Sequence, residues 1–231
     1  MDVAADVADK GYAVVSDVID HAGLTRLIEA IERAGETEAV RSRGGVYAIR
    51  NLLDVVPEVG ELARSAAIRA LVQPVLGPAA MAVRGIMFDK TPEANWKVAW
   101  HQDLTIAVRE RIDLPGFGPW STKAGVLHVQ PPGEILERLL AVRIHLDACP
   151  ADNGPLRVIP RSHARGRLSA EDIRRLCDGS PGITCTVDAG GVLLMRPLLL
   201  HASSKATGSS RRRVLHFLFG PPALPWGLEW A

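Results

Sequence analysis

Residues 140–147 read Leu-Ala-Val-Arg-Ile-His-Leu-Asp, and this stretch decides the fold class. Polar residues at Arg143, His145 and Asp147 alternate with Val142, Ile144 and Leu146, which is the period of a β-strand with two different faces. If the polar face lines the inside of a barrel, Arg143 is placed to bind a carboxylate. If it faces solvent, the strand lies at a sheet edge, and alternation alone leaves both readings open.

Similar short apolar segments surround this strand and are separated by connections rich in Pro and Gly. We predict strands at Gly11–Val15, 45–50, Met81–Phe88, 98–103, 124–129, Leu156–Ile159, Ile183–Val187, 191–195 and Val214–Phe219. Helices are predicted at Leu24–Arg33, at Val59–Leu76 with a break near Pro74, and at Ala170–Cys177. The fold class is therefore α+β or mainly β, with a double-sheet jelly roll as the best architecture.

Length and composition favour one domain over residues 1–231, helix-rich over 1–78 and with the jelly-roll core at about 79–220. The formal net charge of +1 provides no field for nucleic acid or an anionic membrane. No apolar run approaches a membrane span or a signal-peptide core, so we expect a cytoplasmic protein. Three cysteines without a C-x-x-C pair predict free thiols. The sequence does not indicate an oligomeric state.

The chemistry begins at Trp100-His101-Gln102-Asp103. On a strand, His101 and Asp103 point to one side and can offer an imidazole nitrogen and a carboxylate oxygen to one ion, with Lys97 on the same face. A jelly roll brings distant strands together, so His201 is the expected third ligand. Two histidines and one carboxylate that leave positions open are typical of ferrous iron that activates oxygen. An H-x-D pair also arises by chance, so this motif needs support from elsewhere in the chain.

That support is Arg211-Arg212-Arg213, which leads into the strand that follows His201. A guanidinium beside the metal suits the far carboxylate of a keto acid, because its planar fork binds both oxygens. Two of the three arginines are expected in a solvated turn, and alternation cannot choose the third. Three further polar residues either point into the pocket or have a structural role: His128, Gln130 and His145.

With these motifs the chain resembles the phytanoyl-CoA dioxygenase (PhyH-like) family of Fe(II)/2-oxoglutarate oxygenases. The resemblance is strongest at residues 100–103, at Asp152–Pro160 with Ser162-His163, and at His201 with its downstream arginine. It implies a double-stranded β-helix, iron at His101, Asp103 and His201, and 2-oxoglutarate on Arg212. Arg161, Ala202 and Ala206 depart from the family pattern, and Arg143 falls where some relatives have an aromatic residue near the co-substrate.

The resemblance implies hydroxylation of a small-molecule metabolite with O2, releasing succinate and CO2. It argues against halogenation, because halogenating relatives have a small residue in place of the carboxylate that Asp103 supplies here. Two other classes stay open: a jelly-roll protein that binds a metal or small molecule without catalysis, and a zinc hydrolase with the same ligands. The long segment between Asp103 and Ala124 is a candidate lid or substrate loop.

Overall fold

The structure is a computed structural model that describes residues 2–35, 41–43, 46–50, 52–91, 95–123, 125–208 and 210–231. The helices within these ranges are α1 Val3–Asp9, α2 His21–Gly35, α3 Leu52–Val55, α4 Pro57–Arg64, α5 Ala66–Leu76, α6 Gly133–Glu137 and α7 Ala170–Asp178. Short 3₁₀ helices lie at Ser162–Arg165 and Pro225–Gly227. None of the helices in the described part of the chain is long and apolar enough to span a membrane.

The strands form three antiparallel sheets. Their bounds are β1 Tyr12–Val15, β2 Arg41–Arg43, β3 Val46–Arg50, β4 Met81–Lys90, β5 Val98–His101, β6 Ile106–Val108, β7 Trp120–Lys123, β8 Val126–Val129, β9 Leu140–His145, β10 Leu156–Val158, β11 Ile183–Cys185, β12 Val192–Met195, β13 His201–Ser203 and β14 Arg212–Gly220. The major sheet has the order β1-β12-β9-β14-β4-β3-β2, the minor sheet β11-β10-β13-β5, and a third sheet β6-β8-β7.

The major sheet has one apolar face covered by helices. Val142 and Ile144 of β9 and Phe217 of β14 pack on this outer face against helix residues such as Leu27 and Ile68. Successive strand residues point to opposite faces, so their neighbours point inward, towards the minor sheet. Because the helices cover only the outer face of the major sheet, its inner face borders the space between the two sheets.

Apolar side chains fill one part of the space between the two sheets, and a cavity with polar residues occupies another part. Ala141, Leu193 and Met195 of the major sheet pack against Val158 and Cys185 of the minor sheet in a second core cluster. The polar inner residues of β4, β9 and β14 lie elsewhere, around a cavity. This arrangement of facing antiparallel sheets is that of a jelly roll, as the strand pattern predicted.

Two sequence predictions about elements are wrong in detail, and one helix was missed. The helical segment over residues 59–76 breaks at Ser65, whose hydroxyl caps α5, and Pro74 lies inside that helix. The segment between Asp103 and Ala124 is not without structure, since β6 and β7 lie in it. Helix α1 was not predicted, although Asp2 caps it by accepting from the amide of Ala5. Positions 45 and 124, which bounded two predicted strands, lie outside the described residues.

Candidate metal centre

His101, Asp103 and His201 lie together at one end of the minor sheet. His101 is the last residue of β5 and pairs with His201, the first residue of β13. Asp103 follows the strand, and its amide donates to the carbonyl of Pro197 at 2.9 Å. One ligand atom from each side chain lies within 4.8 Å of the other two. Residues a hundred positions apart are therefore brought to one point by strand pairing.

The two imidazoles have the same orientation and the same backbone partner. His101 Nδ1 lies 2.8 Å from the carbonyl of Ala99, and His201 Nδ1 lies 2.9 Å from the carbonyl of Leu199. A carbonyl accepts only, so each Nδ1 carries the proton and each Nε2 keeps a free lone pair. Both Nε2 atoms lie 3.8 Å from an oxygen of Asp103. The donor set thus has the protonation state that a divalent cation needs.

The charges around the three side chains favour the same states. Burial lowers the pKa of His201 to about 4, so this imidazole is neutral at neutral pH. Burial raises the pKa of Asp103, but nearby His201, His216, His101 and Arg143 outweigh burial and leave that pKa below its usual value. Asp103 is therefore ionised, and the site combines one carboxylate with two imidazoles, a donor set that suits a divalent metal ion.

Gln102 holds the ligand segment from behind. Its side chain is 6% exposed. Its amide nitrogen donates to the carbonyls of Leu198 at 2.7 Å and Gly166 at 2.8 Å, and its oxygen accepts from the amide of Leu168 at 2.8 Å. One of these bonds joins the segment between His101 and Asp103 to the loop that precedes His201, and the other two join it to the segment before α7. No role was predicted for Gln102, although its place between His101 and Asp103 was a signal.

The three side chains open onto a cavity of about 340 Å³ between the sheets. The wall contributed by the major sheet comes from residues two apart on its strands, and it includes Arg84, Ile86, Phe88, Lys90, Arg143, Arg212, His216 and Leu218. The opposite side includes Val98, Leu156 and Ser203, and Leu136 and Leu139 add apolar surface. A concave site of this size with convergent polar groups is typical of small-molecule binding.

The structure separates the three arginines that the sequence could not. Arg211 pairs with Asp89, and Arg213 pairs with Asp147 at 2.7 Å, both on the outer face of the major sheet. Arg212 points the other way, is 4% exposed and lines the cavity. Its Nη1 donates to the carbonyl of Gly154, and its Nε has no hydrogen-bond partner among the described residues. Arg212 is thus placed to hold an anion in the cavity.

Arg143 also lies inside the barrel and not at a solvent-facing edge. Its Nη1 donates to Nδ1 of His216 at 3.0 Å, and its guanidinium lies over the ring of Phe88 at 5.6 Å. Burial lowers the pKa of Arg143 to about 10, and burial together with Arg143 lowers the pKa of His216 to about 3. His216 is therefore a neutral acceptor, and Arg143 is a buried cation in the cavity wall.

Lys90 is a cavity residue that the sequence analysis missed. It pairs with Arg212 across β4 and β14, and its Nζ donates to the carbonyls of Trp96 at 2.7 Å and Ser204 at 3.3 Å and to the hydroxyl of Ser203 at 3.4 Å. Burial and the positive charge of Arg212 lower the pKa of Lys90 to about 8. The amine joins β4 to the chain after His201.

Lys97 was predicted on the face of the metal ligands, and this prediction is wrong. His101 pairs with His201, but Val98 pairs with Ser203, so three steps on β5 oppose two on β13. This bulge breaks the alternation and turns Val98 towards the cavity, while Lys97 is exposed. A single inserted residue has no signature in the local sequence, so the period of two misplaced Lys97.

His128, Gln130 and His145 do not line the cavity either. His128 is fully buried on β8, within the third sheet, and its Nδ1 lies 2.9 Å from the carbonyl of Val126. Gln130 follows β8 and its backbone pairs with the segment at Gly118 and Pro119. His145 lies on β9 but is 4% exposed, and burial lowers its pKa to about 3. The period of two indicates which face of a strand a residue lies on, but not which positions along the strand reach the cavity.

The sequence model of the family "Phytanoyl-CoA dioxygenase (PhyH)" matches residues 7–214. No curated protein matches the sequence significantly.

Solved structures share the fold at low sequence identity. A non-haem alpha-ketoglutarate-dependent carbocyclase, SnoK from nogalamycin biosynthesis, is 17% identical with a TM-score of 0.73, over 97% of this chain and 87% of its own. EctD from S. alaskensis, solved with 2-oxoglutarate and 5-hydroxyectoine, is 18% identical with a TM-score of 0.72, over 94% of this chain and 74% of its own. HygX from Streptomyces hygroscopicus, solved with nickel and 2-oxoglutarate, is 18% identical with a TM-score of 0.67, over 93% and 84%.

Proposed function

Since the chain belongs to the phytanoyl-CoA dioxygenase family, we propose that it is a non-haem Fe(II)- and 2-oxoglutarate-dependent oxygenase that hydroxylates a small molecule. The observation that carries this proposal is one cavity with His101, Asp103 and His201 on one side and Arg212 on the other. The proposal treats residues 1–231 as one catalytic domain. It requires no partner other than the small molecule.

The donor set fits Fe(II). Two neutral imidazoles and one carboxylate on one side of an ion leave its remaining positions for other ligands, and this set is typical of ferrous oxygenases. Iron so held supplies the activation of O2 for oxidation of an unreactive C–H bond. The related solved structures of EctD and HygX contain 2-oxoglutarate, which supports the same co-substrate here.

In this proposal Arg212 binds the far carboxylate of 2-oxoglutarate. Its planar guanidinium can donate two parallel hydrogen bonds, which fixes the direction as well as the position of the anion. Lys90 lies beside Arg212 and adds positive charge at the same end of the cavity. Arg143 is a second guanidinium in the cavity wall and would add positive charge for the carboxylate oxygens of the co-substrate.

The apolar wall has the second task, which is to exclude water. Ile86, Leu218, Leu136 and Leu139 line part of the cavity and offer solvent no side-chain hydrogen-bond partner there. Water exclusion strengthens the charge interactions in the cavity and protects reactive species from side reactions. Overall, substrate, 2-oxoglutarate and O2 give hydroxylated substrate, succinate and CO2, so both oxygen atoms of O2 are accounted for.

The test is succinate formation by protein loaded with Fe(II) under anaerobic conditions, before O2 is admitted with 2-oxoglutarate and a panel of small metabolites. Wild-type protein is expected to form succinate, and both His101→Ala and Arg212→Ala are expected to lose this activity. Arg213→Ala, one residue away on the outer face, is the matched control and should keep it. If the protein neither binds nor consumes 2-oxoglutarate, a binding protein without catalysis is favoured. If protein loaded with Zn(II) hydrolyses a member of the panel in the absence of 2-oxoglutarate, a zinc hydrolase is favoured.

A further inference from the structure

Three side chains of the major sheet form a cluster in the cavity wall. Arg143 of β9 pairs with His216 of β14, and Phe88 lies on the neighbouring strand β4. Nη1 of Arg143 lies 3.0 Å from Nδ1 of His216, and its guanidinium lies 5.6 Å from the centre of the Phe88 ring. The rings of Phe88 and His216 meet edge to face at 5.8 Å. All three residues line the cavity, so the His216 ring is held there from two sides.

The contact with Arg143 decides which nitrogen of His216 carries the proton. A guanidinium has only donors, so Nδ1 of His216 must accept. Burial and the charge of Arg143 lower the pKa of His216 to about 3, so the ring is neutral at neutral pH. A neutral imidazole whose Nδ1 accepts has its one proton on Nε2. His216 is therefore a donor at Nε2, the opposite tautomer to that of His101 and His201.

Within the described residues, Nε2 of His216 has no hydrogen-bond acceptor. The ring contacts Arg143 through Nδ1 and Phe88 edge to face. The buried side-chain nitrogens without a partner include Nε of Arg143 and Nε of Arg212, but not Nε2 of His216. Nε2 is therefore not enclosed by the protein. Since His216 lines the cavity, its N–H opens onto that space.

The wall around this donor is apolar. His216 pairs with Ile86 across β4 and β14, and Leu218 lies two residues further along β14 on the same face. Both line the cavity. A ligand that displaces water from this wall leaves the N–H unpaired unless it brings an acceptor, and an unpaired buried donor costs about 1–3 kcal/mol. A site built in this way selects ligands that have an acceptor over those that lack it.

We propose that His216 determines substrate specificity by donating a hydrogen bond from Nε2 to an oxygen atom of the substrate, and that Arg143 is a positioning residue which fixes the tautomer. The substrate is then an apolar skeleton that bears a carbonyl or hydroxyl oxygen. Its apolar part lies against Ile86 and Leu218. This inference rests on the proposed function, because it takes the cavity to be the active site of the oxygenase.

The tautomer is tested by NMR of the imidazole nitrogens in protein saturated with Zn(II) and 2-oxoglutarate, so that no turnover occurs. Protonated and unprotonated ring nitrogens have different chemical shifts, and His216→Gln assigns the signals. We expect His216 to be in the Nε2–H form, and Arg143→Met to add a measurable share of the Nδ1–H form. His21, exposed on α2, is the internal reference for a ring that exchanges between both forms. An Nδ1–H form in wild type, or an unchanged His216 in Arg143→Met, overturns the inference.

Specificity is tested by ligand-observed NMR of the same protein with cyclohexanone, cyclohexanol and methylcyclohexane as probes. His216→Phe is expected to weaken binding of the two oxygenated probes about tenfold, a difference of about 1.4 kcal/mol, and to leave methylcyclohexane unaffected. His216→Gln, whose amide nitrogen can take the place of Nε2, should restore most of the loss. His21→Phe is the matched control and should change no affinity. The inference is overturned if neither oxygenated probe binds wild type, or if His216→Phe weakens all three probes equally or none of them.

The same samples separate this inference from the proposed function. If wild-type protein does not bind 2-oxoglutarate, the proposed function fails, and this inference fails with it. If 2-oxoglutarate binds but the variants of His216 do not distinguish oxygenated probes from the hydrocarbon, only the role of His216 is refuted, and the proposed function stands.

Discussion

Replacing Arg212 with Gln is expected to remove most of the affinity for 2-oxoglutarate and to leave the fold intact. The side chain is buried in the cavity wall, and one of its nitrogens has no partner among the described residues. Gln keeps a donor that can reach towards the carbonyl of Gly154 but has neither the charge nor the planar fork of Arg. The substitution therefore removes the anion contact more completely than it disturbs the packing.

The magnitude follows from the environment of Arg212. Removing one partner of a buried, hydrogen-bonded charge pair costs about 2–5 kcal/mol, which corresponds to an affinity loss of about 30-fold to about 4,000-fold. Arg212→Lys keeps the charge and loses the two parallel bonds, so we expect a smaller loss of about tenfold. The order wild type, Lys, Gln is itself part of the prediction, because a purely steric effect would not produce it.

The assay is titration calorimetry of 2-oxoglutarate into protein loaded with a redox-inactive divalent metal, together with thermal unfolding. Arg213→Gln is the matched control, since Arg213 pairs with Asp147 and Glu32 on the opposite face of the same strand. It should lower stability by roughly 1–2 kcal/mol and change the affinity less than about twofold. The reasoning is refuted if Arg212→Gln binds 2-oxoglutarate within about threefold of wild type, or if Arg213→Gln loses as much.

Three further perturbations test other parts of the structure. Gln102→Leu leaves one buried and two part-buried backbone groups without their side-chain partner, so metal affinity measured by chelator competition should fall by about 10- to 100-fold. An unchanged affinity would refute the bracing role. The pKa of Lys90 is about 8, with Arg212, Arg143 and Cys149 as its ionisable neighbours. An anion beside the amine favours its charged form, so above pH 8 binding takes up a proton, and 2-oxoglutarate affinity should fall up to about tenfold per pH unit. Lys90→Met should flatten this pH profile, whereas an equal slope in both proteins would contradict the assignment. Gly190→Ala should destabilise the fold by about 1–3 kcal/mol in thermal unfolding, because Gly190 has φ +82° and a Cβ there would lie 2.2 Å from the carbonyl of Ile19. Gly133→Ala, which meets nothing within 4 Å, is its control and should have little effect.

The sequence predicted the strands best where one face is apolar and the other polar. Alternation over residues 140–146 located β9, and the inward position of Arg143 followed once the fold closed around it. It failed at β5, because the bulge between Val98 and His101 is fixed by pairing with β13 and not by local residues. The short strands β6 and β7 were missed for a similar reason, since each is stabilised by its neighbour β8 and has little periodicity of its own.

The grouping of His101, Asp103 and His201 could be predicted from the motif together with the family resemblance, since an H-x-D pair alone also arises by chance. The same resemblance singled out Arg212 among the three arginines. Arg84 and Lys90 could have been predicted as cavity residues from their spacing. Along β4 they alternate at intervals of two residues with Ile86 and Phe88, and all four lie on one face of the strand. That signal does not indicate which face points inward, because Val83 and Met87 on the other face are buried as well. Only the packing of the helices on the outer face decides it.

The carboxylates that pair with Arg211 and Arg213 have a consequence for how the chain folds. Three identical residues at positions 211–213 contain no information about which of them should face the cavity, and a slip of one residue in β14 would exchange the two faces. Asp89, Asp147 and Glu32 supply that information, because they bind Arg211 and Arg213 only when Arg212 points inward. The acidic residues on the outer face thus favour the observed alignment of β14. Without them we expect an alignment shifted by one residue, with Arg211 or Arg213 facing the cavity, to become more accessible.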